Sequence, residues 1–291
     1  MKVSRWTSWM LAPGIGFLVC VFVGPFVYMV WVSLTDLSFS IAEHRGSFIG
    51  FSNYVQALAH DGMFWNSVAR SAVFSMLCVI PSVLLAIVLA EMLHWRPLAQ
   101  RLLSPLFAFP VLLPSVVVGL YWRVLLQGEF GVISYYLDQL GLPGAKSILS
   151  HSKTILYTLA LVDTWQWGPF VALMLLAARR SLPRFPLEAA WMDGAGRWRA
   201  FYDVTLPALL PTVFIVALIR AIDSFKEFDK VYIITGGGPG TASELSSLYI
   251  WRVAFRQWNF GYGAALCVVV YCLIYAFSRI GAGQVRAGRR S

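Results

Sequence analysis

Charge is scarce in this chain. Asp, Glu, Lys and Arg make up 13% of its 291 residues, about half of the roughly 25% usual in soluble domains. Hydrophobic residues reach 58%, and the mean hydropathy is +0.68. A chain of this size cannot clothe a soluble core with so few charges, so the composition excludes a disordered chain or a cytosolic enzyme and points to the membrane. Cysteine is sparse too. Cys20, Cys78, Cys267 and Cys272 all lie in apolar runs without CxxC spacing, which argues against a disulfide framework or a zinc site. They read as small apolar side chains facing lipid or other helices. His44, His60, His94 and His151 are scattered and show no metal-ligand spacing. No G-x-x-x-x-G-K-[ST] is present, so the chain has no P-loop to cradle ATP phosphates. The run Gly236-Gly237-Gly238-Pro239-Gly240 lacks the lysine and hydroxyl residue of such a loop and reads as a turn. HExxH, GxSxG and paired-carboxylate constellations are missing, which leaves an enzyme reading without residues. No repeat of solenoid period is visible.

Long apolar runs dominate what is there. A spanning helix needs about 20 mostly apolar residues. Six runs qualify: Trp9–Leu34, Val68–Leu93, Leu106–Leu126 with Pro110 and Pro114 inside it, Ile155–Ala178, Ala208–Phe225 and Gly261–Ile280. Prolines and glycines within them are tolerated better than in soluble helices. The basic start MKVSRW precedes a run too long for a cleaved signal, so the first run reads as a retained span. The expected fold is all-α and polytopic, a single membrane domain over 1–291 with 68–280 as its core. Basic residues set the orientation. Lys2, Arg5, Arg96, Arg101, Arg179, Arg180, Arg184, Arg197, Arg199, Arg279, Arg286, Arg289 and Arg290 fall on one side, against Glu188, Asp193 and Asp203. The other side holds Arg45, Lys146, Lys153, Lys226, Lys230, Arg252 and Arg256 with eight acids. The positive-inside rule places the first set, and both termini, in the cytoplasm. The net charge of +9 is then a topology signal, with no basic patch suited to nucleic acid.

The segment between the fourth and fifth runs, Leu182–Pro211, is more than a connector. Pro186 suits a first helical position, and Glu188 lies near the positive end of that helix dipole. Gly194 and Gly196 break the helix, Arg197–Tyr202 can form a second short one, and Pro207 opens the next span. This gives a helix–turn–helix on the cytoplasmic face. Its small Ala pair leaves room for a docking protein, and an interfacial amphipathic helix fits as well; the residues alone leave both open.

Glu188-Ala189-Ala190, Gly194 and Leu206-Pro207 resemble, at matching spacing, the E-A-A signature of ABC importer permeases, with Val204 where the family has Ile. The longer form, with Asp193-Gly194-Ala195 and Phe201, is similar to the carbohydrate branch (maltose, polyol and glycerol-3-phosphate type importers). The stretch Phe228–Pro239 resembles the T-x-G-G-P outer loop of the first permease of such pairs, and Tyr249, Ala254-Phe255 and Gly261–Ala265 continue the pattern. The resemblance implies a multi-pass protein of the bacterial inner membrane with no catalysis of its own. It implies a heterodimer with a second permease, two ATP-binding subunits that hold ATP and Mg, and an extracytoplasmic solute-binding protein. Residues 182–207 would then be the loop that couples to the ATPase.

Ionisable residues inside spans default to a functional reading. Asp163 lies in the fourth run; Arg220 and Asp223 lie in the fifth, three residues apart, where they can pair. They line a polar cavity or only fix helix packing. The resemblance favours the cavity and adds Gln166, Trp167, Phe170 and Ser224 to the solute path. Aromatic faces stack on sugar C–H surfaces, while carboxylate, amide and hydroxyl groups bind hydroxyls. Arg220 admits an anionic sulfo- or phospho-sugar; if Asp223 already neutralises it, a neutral sugar or polyol stands equally. The alternatives are a permease of this architecture for an amino acid or polyamine, and a secondary transporter, which would need inverted repeats and a midplane ion site that the chain lacks.

Overall fold

A computed structural model describes residues 13–39, 46–141 and 145–288. Lys2, Arg5, Trp9, His44, Arg45, Arg289 and Arg290 lie outside the described residues, as do the side chains of Lys146 and Arg286. Among the described residues the regular elements are helical, and β pairing is confined to two isolated bridges, Thr35–Phe48 and Ser38–Asn259. In chain order the main helices are α1 (Pro13–Ser33), α2 (Gly62–His94), α3 (Pro97–Leu112), α4 (Ser115–Leu125), α5 (Val132–Gln139), α6 (Ile155–Ser181), α7 (Phe185–Met192), α8 (Arg197–Phe225), α9 (Asp229–Ile234), α10 (Ser246–Trp251) and α11 (Phe260–Gly288), with short helical turns at Ser52–Val55, Gln56–His60 and Ala145–Ser150 between them. Five of them, α1, α2, α6, α8 and α11, are long and apolar enough to cross a membrane. Counting α3 and α4 as one broken span makes six.

That break corrects the sequence expectation for Leu106–Leu126. The run is two helices bent by 94°. Pro81, Pro105, Pro110, Pro169 and Pro211 all sit inside helices without ending them. The difference at 113–114 is that two successive residues leave the helical region: Leu113 has φ −76° and ψ 131°, and Pro114 has φ −56° and ψ 138°. A residue before proline is pushed out of the α region by the ring. A second correction concerns Ala208–Phe225. The span begins at Arg197, passes through a π turn at Phe201–Thr205, and continues unbroken past Pro207, which lies in its interior.

The chain forms two compact units, Met1–Trp65 with Tyr249–Leu273 and Asn66–Leu248 with Ile274–Ser291. In the first, Asn53 Nδ2 donates to the carbonyls of Ser33 and Thr35, both at 2.9 Å. Asp61 Oδ2 accepts from the hydroxyls of Tyr249 at 2.7 Å and Tyr262 at 2.6 Å. Gly261 donates to the Leu37 carbonyl, and a Cβ there would strike the Thr35 carbonyl, so only glycine permits this approach. α1 is apolar all round and barely covered by the rest of the chain, as suits a helix set in lipid.

In the second unit α2, α6 and α8 share one apolar core. Ala86, Ala90 and Leu93 meet Val171, Ala172, Leu175 and Leu176, with Leu209, Val213 and Val216 from the third side. Small residues on α2 let the helices approach closely. α4 packs against the short α9 in the same way, since a Cβ on Gly119 would lie 3.1 Å from Ile233 Cβ. Gly119→Val overpacks that contact and is expected to destabilise the protein by about 1–3 kcal/mol. Thermal unfolding of the purified protein checks this: a lowered midpoint is expected, and an unchanged one contradicts the tight packing of α4 on α9.

Candidate functional site

A carboxylate in an apolar span must be neutralised or it will not stay charged. Asp163 is fully buried on α6, and each of its oxygens takes a cation. Arg220 Nη2, from α8, reaches Oδ2 at 2.5 Å, and Lys230 Nζ, from α9, reaches Oδ1 at 2.6 Å. Lys230 also donates to Gln166 Oε1 and meets Glu227 Oε2, each at 3.0 Å, so its three N–H groups are all used. Burial alone would lower the Lys230 pKa; the Asp163 and Glu227 carboxylates outweigh that and hold it above the usual lysine range.

Arg220 is equally committed. Nη1 pairs with Asp223 at 2.9 Å, and the guanidinium lies over the Trp167 ring, 4.6 Å from its centroid. Its Nε is buried and has no hydrogen-bond partner among the described residues. Asp223 is the open end of the cluster, with a side chain 35% exposed and the exposed Lys226 3.5 Å away. Gln166 Nε2 donates to the Leu113 carbonyl at 3.1 Å. The carbonyl freed by the α3–α4 break is thus satisfied one turn from Asp163.

The segment after α6 is a second site. Pro186 sits in the first turn of α7, and Glu188 follows in the same turn. Leu187 turns inward while Phe185, Glu188, Ala189 and Met192 are exposed. The helix ends where Asp193 donates to the Ala189 carbonyl, Gly194 to that of Trp191 and Ala195 to that of Ala190. Gly194 has φ +79°, the left-handed termination that glycine allows. The loop therefore presents an exposed, well-terminated helix of small and apolar residues.

The binding-protein-dependent transport system inner membrane component family matches residues 82–285. The chain belongs to this family. It is therefore a multi-pass inner-membrane component of a transporter that works with a solute-binding protein. The permease is 31% identical over 284 residues to the sulfoquinovosyl glycerol transport system permease protein SmoG of Agrobacterium fabrum, covering 94% of this chain and 91% of that protein. It is 29% identical to the trehalose/maltose transport system permease protein MalF of Thermococcus litoralis, covering 92% and 90%. Its fold matches a crystal structure of a bacterial ABC transporter involved in the import of the acidic polysaccharide alginate, with TM-score 0.81 and 20% identity, covering 96% of this chain and 94% of the other.

In the permease the residues named from sequence fall into two places. Asp163, Gln166, Trp167, Arg220 and Asp223 converge on the ion cluster. Phe170 stands beside Trp167, with ring centroids 6.3 Å apart. Ser224 faces elsewhere: its hydroxyl donates to the Arg220 carbonyl and contacts Ser75 of α2. Glu188, Ala189, Ala190, Asp193, Gly194 and Ala195 lie on or just after α7, whereas Leu206 and Pro207 lie within α8. Sequence reasoning counted Lys230 among the outer loop charges and missed it as a cluster member, together with Glu227. The available signal was a Glu–x–x–Lys pair running into Val231, Ile233 and Ile234. Glu91 was missed as well, an acid within α2 that pairs with the buried Arg179 at 3.1 Å.

Removing one partner from a buried ion pair costs about 3–5 kcal/mol, because the other charge is left uncompensated. Lys230→Met is therefore expected to lower the unfolding temperature sharply, and Lys230→Met combined with Asp163→Asn to recover part of the loss. Thermal scans of the two variants check it; equal loss in both contradicts the pairing.

Proposed function

We propose that the chain is the permease subunit of an ATP-driven ABC importer that carries a sugar or polyol into the cytoplasm, with both termini on the cytoplasmic side. The observation that carries the substrate class is full-length similarity to permeases named for sulfoquinovosyl glycerol, trehalose/maltose and trehalose transport. A second related permease completes the pathway, and two ATP-binding subunits hold ATP and Mg and perform the hydrolysis. This chain catalyses no reaction. All 291 residues act as one permease domain with 68–280 as its core, and 182–207 couples to the ATPase.

The exposed face of α7 is the part that docks on the ATPase, with Glu188 as its polar contact and Gly194 setting the exit of the chain. The solute passes the Asp163 cluster. Asp163, Asp223 and Glu227 face three cations, Arg220, Lys230 and the exposed Lys226, so the cluster carries no net positive charge to draw in an anion. The open carboxylate of Asp223, the unmatched Arg220 Nε and the Trp167 and Phe170 rings suit hydroxyls and C–H faces. The charge balance of the cluster favours a neutral solute.

A thermal-shift screen of the cognate solute-binding protein tests the solute class, since a bound ligand raises its midpoint. Neutral sugars or polyols are expected to give the hit. A sulfonated sugar would return Arg220 to the solute, and an amino acid or polyamine would overturn the carbohydrate class. ATP-driven uptake into proteoliposomes tests the coupling role. Glu188→Lys and Gly194→Val are expected to abolish uptake; the second forces a branched residue into a left-handed conformation costing roughly 1–2 kcal/mol. Full uptake by both variants contradicts docking through α7.

A further inference from the structure

The ends of α2 and α6 and the start of α7 enclose a cavity of about 540 Å³, within the roughly 300–1,000 Å³ range of ligand sites. It shares no lining residue with the Asp163 cluster, while Leu187, Glu188 and Trp191 of α7 form one of its sides. Its wall is basic and aromatic. Arg179, Arg180 and Arg184 line it against one lining carboxylate, Glu188. Glu91 lies behind and is fully used: Oε2 pairs with Arg179 Nε at 3.1 Å, and Oε1 accepts from Trp95 Nε1 at 2.6 Å. Arg180 donates to the neutral Gln100 side chain, and neither it nor Arg184 makes an ion pair among the described residues. The Trp95 and Trp191 rings meet at a 48° tilt with centroids 5.8 Å apart, and Arg197 lies over Trp95 at 4.9 Å. His94 lines the same cavity with a buried Nδ1 that has no partner among the described residues.

Two guanidiniums without a carboxylate partner among the described residues, an unmatched ring nitrogen and a pair of tryptophans at the end of spanning helices form an incomplete anion site. Arginine forks fit phosphate oxygens, and tryptophan favours the membrane–water interface. We infer that this cavity binds a phosphate group between Arg180, Arg184 and His94, carried by an anionic lipid headgroup or by a soluble phosphoester. Basic pockets between spanning helices hold lipid headgroups by this chemistry. The site needs only that this end of the helices lies at a membrane surface; it does not depend on the solute.

Native mass spectrometry of the assembled transporter tests it, with dioleoyl phosphatidylglycerol, dioleoyl phosphatidylcholine and inorganic phosphate titrated separately. The wild type is expected to retain one phosphatidylglycerol more tightly than phosphatidylcholine. The pair Arg180→Gln with Arg184→Gln is expected to weaken that adduct about tenfold, and Arg101→Gln, an exposed arginine outside the cavity, to leave it unchanged. Arg180→Gln alone gives the same direction at smaller size, which covers a failure of the double variant to assemble. Retention of inorganic phosphate that is lost in the same variants, without lipid preference, assigns the site to a soluble phosphoester. Equal retention of the two lipids with no phosphate adduct, no effect of the double variant, or an equal effect of Arg101→Gln overturns the proposal.

Discussion

The second unit depends on one buried carboxylate. Asp163 cannot remain ionised in an apolar helix unless cations reach it, and both that do come from other elements, Arg220 from α8 and Lys230 from α9. Three helices are thereby held at a single point. The consequences spread along the chain. α9 is anchored by Lys230 and can then press Ile233 onto Gly119 of α4. Gln166, one turn beyond Asp163, divides its amide between Lys230 and the carbonyl released at the α3–α4 break. One turn of α6 therefore explains why a broken span leaves no unpaired backbone oxygen at Leu113.

The same helix carries the second charged anchor. Arg179 lies 16 residues after Asp163, about 24 Å at 1.5 Å per residue. It pairs with Glu91 on α2 just before the chain turns into α7. α6 thus joins the ion cluster to the segment proposed to dock on the ATPase. Its apolar middle, Val171 to Leu176, is clamped between α2 and α8. The helix runs unbroken from Ile155 to Ser181, with Pro169 inside it, so the two charged anchors share one element.

What was legible in the sequence was what is local. Apolar runs marked the spans because length and composition decide them. Pro186, Glu188 and Gly194 marked α7 because its start, first turn and left-handed end each need a particular residue type. The Arg220–Asp223 pair was legible because i,i+3 spacing places both on one helix face. Non-local geometry was not. Pro110 and Pro114 read alike within one apolar run, yet only the second follows a residue that turned extended. Lys230 looked like one more loop charge, since nothing near it in sequence reveals a carboxylate 67 residues earlier. The Glu91–Arg179 pair, 88 residues apart, was hidden for the same reason.

The cluster is also graded. Lys230 and Asp163 are each 1% exposed, Arg220 5%, and Asp223 35%. An ion pair weakens as water raises the dielectric around it, by severalfold between a dry interior and bulk solvent. Water arriving from the open side meets Asp223 first and competes for its hold on Arg220, while the Lys230–Asp163 bond is buried behind it. Losing Asp223 leaves Arg220 still bound to Asp163, so the charge is never stranded. A cluster graded this way can exchange one polar contact at its surface for contacts with water, while the inner bond goes on holding α6 and α9 together. Had Asp223 been as deeply buried as Asp163, the pair would have been a fixed strut; had Lys230 been as exposed as Asp223, water would have weakened the common anchor of the helices.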